Sequence, residues 1–64
     1  MKNVKTRVVG LGIIGNYGVR WECVEHENWE TDEIYYEMWI ENGKLGRFDS
    51  IALALKDLAE EYLA

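Results

Sequence analysis

The sequence predicts an α+β fold: an antiparallel three- to four-stranded β-meander packed against one C-terminal α-helix, in the order ββββα. Three observations carry that prediction. Residues 4–48 hold runs rich in Val, Ile and aromatic side chains, separated by turns containing Gly and Asn. From residue 51 onward the apolar residues switch to helical spacing. The chain has no proline, repeat or low-complexity stretch, so residues 1–64 read as a single small α+β domain.

Residues 4–14 are rich in the branched side chains that suit a pleated surface and read as the first strand. Gly15-Asn16-Tyr17-Gly18 follows, with the Gly and Asn that a tight turn with positive φ requires. Residues 19–27 alternate and contain Val, Trp and Cys, which makes a second strand. Asn28 to Asp32 is a polar loop that includes Trp29. Residues 33–41 read as a third strand. Asn42-Gly43 is the strongest hairpin signal in the chain, because both central positions of a type I′ turn want φ > 0. It implies a short fourth strand over Lys44–Phe48. Asp49 or Ser50 then caps a helix from about Ile51 to Leu63 by accepting from a free backbone N–H. Ile51, Ala54, Leu55, Leu58, Ala59 and Tyr62 share one stripe of it. Lys56, Asp57, Glu60 and Glu61 lie opposite, and Leu53 falls among these polar positions.

Strand alternation assigns the faces. A first hairpin closed around Asn16-Tyr17 pairs Ile14 with Val19 and Gly12 with Trp21. Val8, Gly10, Gly12, Ile14, Val19, Trp21 and Cys23 are then expected on one face, with the Trp21 ring shielding Gly12. Val9, Leu11, Ile13 and Val24 are expected on the other, with Arg20 and Glu22. In the third strand Ile34, Tyr36, Met38 and Ile40 oppose Tyr35 and Trp39, which sit beside Glu37 and Glu41. Both faces are partly apolar, and one helix covers only one of them. Leu11, Ile13, Val24 and Leu53 are therefore expected at an oligomer interface, a homodimer being the simplest.

Small domains bury less of their surface and often need a disulfide, a metal or a partner subunit for stability. One cysteine, Cys23, allows no internal disulfide, and with a single histidine, His26, the ligand set for structural zinc is poor. Self-association is the staple left, and the apolar fraction of 48% agrees. A lone thiol fits a reducing, cytoplasmic setting. No signal-peptide pattern and no apolar run of membrane-helix length is expected.

Charge is unevenly spread. Residues 1–20 carry four bases and no acid; residues 21–42 carry eight acids and no base; the whole chain has a net charge of −5. Trp21, Trp29, Tyr35, Tyr36 and Trp39 are interleaved with the acids. Carboxylates mixed with flat rings suit a basic protein surface and suit a phosphate backbone poorly. The expected partner-binding residues are Trp29, Glu30, Asp32, Glu33, Tyr35, Glu37 and Trp39. The acids would attract over distance, and Trp29, Tyr35 and Trp39 would anchor.

Several catalytic patterns fail on inspection. Gly10-Leu11-Gly12-Ile13-Ile14-Gly15 matches G-x-G-x-x-G, but a turn and a strand follow where a dinucleotide site needs a helix N-terminus. Cys23 and His26 are three apart on a strand and point to opposite faces, a packed thiol and a solvent-facing imidazole. Glu25 and Glu27 share a face that excludes His26, so no dedicated metal site is expected. The sequence therefore points to a protein without catalytic residues, cofactor or metal, and with no membrane partner. It would bind a basic patch on a larger protein, as an inhibitor or nucleic-acid mimic of the kind a phage directs against a host nuclease or defence complex. The alternative is a small nucleic-acid-binding or transcription-accessory domain. It would use the basic first strand (Lys2, Lys5, Arg7, with Arg20) and exposed aromatics.

Overall fold

The computed structural model describes residues 4–41 and 43–63. They form one four-stranded antiparallel sheet in the order β1 (Val4–Ile14), β2 (Val19–Asn28), β3 (Glu33–Ile40) and β4 (Gly43–Phe48). One helix follows, α1 (Ile51–Tyr62). This is the ββββα arrangement expected from the sequence.

The first hairpin has the predicted register, Ile14 opposite Val19 and Gly12 opposite Trp21. Its positive φ values fall on the outer glycines, Gly15 at +82° and Gly18 at +67°, and not on Asn16. The Gly18 N–H donates to the Gly15 carbonyl at 3.3 Å, which closes the turn. Glycine has no Cβ to clash in this region, so the two glycines flank the turn at little steric cost. The Asn42 half of the predicted second turn lies outside the described residues.

Each edge strand contains one β-bulge. In β1 the pairing jumps from Val8–Val24 to Gly10–Cys23, leaving Val9 as the extra residue. In β4 it jumps between Met38–Gly46 and Trp39–Lys44, leaving Leu45. Val9 and Leu45 both pack against the core. A bulge inserts one residue into one strand and so reverses the facing of everything beyond it. The strict alternation expected for residues 8–14 is corrected accordingly. Val8 joins Val24 on the face away from the helix, and Val9 leaves that face for the core side.

The helix covers the face that carries Cys23 and Met38. Those two residues, with Ala54 and Leu58 of α1, are the fully buried core. Val9, Ile14, Trp21, Tyr36, Ile40, Leu45, Phe48 and Tyr62 pack around them. Met38 is completely enclosed, and burying a side chain of that size contributes about 1.5–3 kcal/mol. Ser50 is the N-cap: its backbone is extended, and its hydroxyl accepts from the Leu53 N–H at 3.2 Å. At the other end the Leu63 N–H donates to the Ala59 carbonyl at 2.8 Å.

Helix α1 docks over β3 and β4. That placement corrects two members of the expected buried stripe: Ile51 and Leu55 sit at its margins and remain exposed. Leu53 is exposed, as its position among the polar residues requires. Over β1, cover comes from a side chain. The Trp21 ring lies on Gly10 and Gly12, and a Cβ built on Gly12 would stand 2.9 Å from Trp21 Nε1.

Candidate interaction surfaces

Three regions of the molecule carry chemistry: the β2–β3 loop, a polar cluster in mid-sheet, and the uncovered face of the sheet. The residues expected to bind a partner are divided among them.

The β2–β3 loop is acidic and internally braced. The Asn28 side-chain carbonyl accepts from the Glu30 N–H at 3.0 Å, and the Thr31 hydroxyl accepts from the Glu33 N–H at 3.4 Å. Such short-range side-chain to backbone bonds shape turns. Asp32 takes the left-handed conformation, φ +58°, which Asp tolerates better than most residues. Trp29 is 61% exposed, and its indole N–H donates to Glu27 at 2.7 Å. Among the described residues no cation lies within ion-pair distance of Glu27, Glu30, Asp32 or Glu33. Trp29, Glu30, Asp32 and Glu33 thus form one group at one end of the sheet.

Tyr35 and Glu37 belong to the mid-sheet cluster. Glu37 accepts from Lys44 Nζ at 3.0 Å, and its second oxygen lies 2.5 Å from His26 Nε2. The His26 contact has ion-pair distance without the alignment of a hydrogen bond. Burial pushes the Glu37 carboxyl upward, but the Lys44 hydrogen bond and the nearby His26 outweigh it and hold the acid below its ordinary value. His26 stacks on Tyr35 with ring centroids 4.7 Å apart, and the Arg47 guanidinium lies 3.8 Å over the Tyr35 ring. His26 is therefore packed against a ring and a carboxylate, which corrects the expectation of a solvent-facing imidazole. Neither Arg47 nor Lys44 was singled out from the sequence. Counting back from Asn42-Gly43 would have placed Lys44 and Arg47 near Glu37, had the bulge at Leu45 been foreseen.

The third region is the open face. Leu11, Ile13 and Trp39 are exposed there, with Val8 and half-buried Val24 alongside. Leu11, Ile13, Arg20, Glu22, Trp39 and Glu41 border a broad, shallow trough. Trp39 is seven residue steps along the chain from Asp32, about 23 Å at ~3.3 Å per residue. Trp39 is thus remote from the acidic loop and adjoins Leu11 and Ile13. Of the residues expected at an oligomer interface, Leu11, Ile13 and Val24 share this face. Leu53 lies apart on α1.

On the helix side, Glu25 accepts from Arg7 Nε and from the Tyr36 hydroxyl, each at 3.1 Å. The bond to Glu25, with some burial, raises the Tyr36 pKa. Cys23 is a buried free thiol whose pKa burial also raises. Cys23 and His26 stand on opposite faces. Lys5 and Arg7 lie on the helix side near one end of β1 and Arg20 lies on the open face near the other; Lys2 is outside the described residues. Among the described residues no three His, Cys, Asp or Glu side chains are grouped to hold a metal. No described helix is long and apolar enough to cross a membrane.

No family model matches this chain, and neither a curated protein nor a solved structure shows significant similarity to it. Its functional reading therefore rests on its own residues.

Proposed function

We propose that this chain is a small non-enzymatic binding module. Its acidic β2–β3 loop docks on a basic surface of a larger protein, acting there as an inhibitor or nucleic-acid mimic in a cytoplasmic setting. The observation that carries this reading is the braced loop itself. Four carboxylates, Glu27, Glu30, Asp32 and Glu33, stand around a 61% exposed Trp29 and have no ion-pair partner among the described residues, Lys5 across from Glu27 lying beyond that distance. Elsewhere Glu25 and Glu37 are neutralised by Arg7 and Lys44. Unpaired carboxylates attract a basic partner over several ångströms. A flat exposed indole supplies desolvated contact area once the partner arrives. A loop already held in shape loses little entropy on binding.

The test is kinetic. The intact chain captures its basic target from the native host, and association is then measured at low and high salt. Glu30→Lys, Asp32→Lys and Glu33→Lys together should slow association strongly at low salt and remove most of its salt dependence. An unchanged on-rate would reject the loop as the docking site. A salt-dependent mobility shift with DNA or RNA would favour the nucleic-acid-binding alternative instead.

A further inference from the structure

We propose that the open face of the sheet is a homodimer interface. Two copies stack face to face about a two-fold axis, with Trp39 of each copy packed on Leu11 and Ile13 of the other. The inference is independent of the acidic loop.

Exposure is the first observation. Leu11 is 70% and Ile13 67% exposed, and Trp39 is 41% exposed. Leu11 and Trp39 flank Glu22 in one row of the sheet, and Ile13 lies in the next. Together they set apolar side chains on β1 and β3 to either side of the charged β2 pair Arg20 and Glu22.

Charge identifies the occupant. From Thr6 to Ile13 the open face carries three cations, Arg20, Lys44 and Arg47, and three carboxylates, Glu22, Glu37 and Glu41. That stretch is balanced, and the row beyond it adds one acid, Glu33, at the loop end, so the face is close to neutral although the chain carries −5. A basic protein or a phosphate backbone would meet as much repulsion as attraction here. A second copy of the same face does not, because a two-fold contact sets a mixed patch against itself, rotated. Arg20 and Glu22 have no ion-pair partner among the described residues and remain available to one.

The sheet edges are poorer routes to assembly: β1 and β4 each contain a bulge, which twists an edge away from strand addition. Face-to-face stacking also leaves the β2–β3 loop beyond the contact, free on both copies.

Light scattering and sedimentation of the intact chain across a dilution series test this. A species of twice 7.5 kDa that dissociates on dilution is expected. Leu11→Glu and, separately, Trp39→Asp should weaken association by about tenfold or more, the scale of losing an interface anchor. Leu11 is the more exposed of the two, so its variant should keep wild-type circular dichroism and melting even if Trp39→Asp does not. Leu53→Glu, on α1, should leave the mass unchanged. A monomer at every concentration overturns the proposal, as does a dimer indifferent to Leu11→Glu or one broken by Leu53→Glu. Loop variants that slow target capture would leave the mass as it is, so the two readings fail separately.

Discussion

The indole of Trp21 lies directly against the backbone of Gly12, its cross-strand partner, so that a Cβ on Gly12 would meet Nε1 at 2.9 Å. The contact adds cover over β1, to which α1, docked mainly on β3 and β4, gives less. Gly12→Ala should therefore destabilise the fold by about 1–3 kcal/mol, the usual scale for overpacking. Gly10→Ala, with its nearest ring atom at 3.3 Å, should lose less. Urea midpoints measure both. In a Trp21→Ala background the Gly12→Ala loss should largely vanish, and a full loss there would show that the ring is not the obstacle.

Met38 is completely enclosed, whereas Leu53 is about half exposed on α1. Met38→Ala should cost about 2–5 kcal/mol, enough to unfold much of a domain this small. Leu53→Ala should stay within about 0.5 kcal/mol of wild type. Equal losses in chemical denaturation would place the core elsewhere.

Ser50 accepts from the Leu53 N–H and caps α1, whose first turn contains no acidic residue to assist. Ser50→Ala should lower stability by about 1 kcal/mol, and Ser50→Asp should retain most of it. Thermal melts of the two variants would separate the lost cap from a general effect of substitution.

Glu37 links β2, β3 and β4 through His26 and Lys44. Its pKa is held below the ordinary 4.5 in the folded chain. The ionised carboxylate thus contributes stability that is fully present above that ordinary value and is lost as pH falls through the lowered folded-state value. Stability of the wild type should decline over that acid range. Glu37→Gln should be less stable near neutrality and decline less steeply in acid. Parallel acid slopes in denaturant titrations would assign the acid sensitivity to other carboxylates.

Trp29 is 61% exposed, and its indole N–H bonds to Glu27. Trp29→Ala should leave the melting temperature within a few degrees of wild type and weaken target binding by about 2 kcal/mol, the scale of an aromatic anchor. A large drop in melting temperature would instead give Trp29 a structural role.

Much of this architecture was legible in contiguous residues. The Val/Ile runs, the glycine-bracketed turn at residues 15–18 and the helical spacing after Ser50 each express a local preference, and the first hairpin's register follows from its turn. The acidic loop was likewise visible as composition, since a run of carboxylates around Trp29 needs no partner to be recognised. What escaped was relational. The bulges at Val9 and Leu45 exist only when one strand is counted against another, and they decide that Val8 faces away from the helix while Val9 enters the core. The same holds for His26, whose surroundings come from Tyr35 and Glu37 on β3 and, through them, from Arg47 and Lys44 on β4. Which face α1 covers was also decided only in three dimensions. The stripe on α1 must seat Ala54 and Leu58 against Cys23 and Met38, and a helix that docks over β3 and β4 leaves Trp21 to shield the glycines of β1.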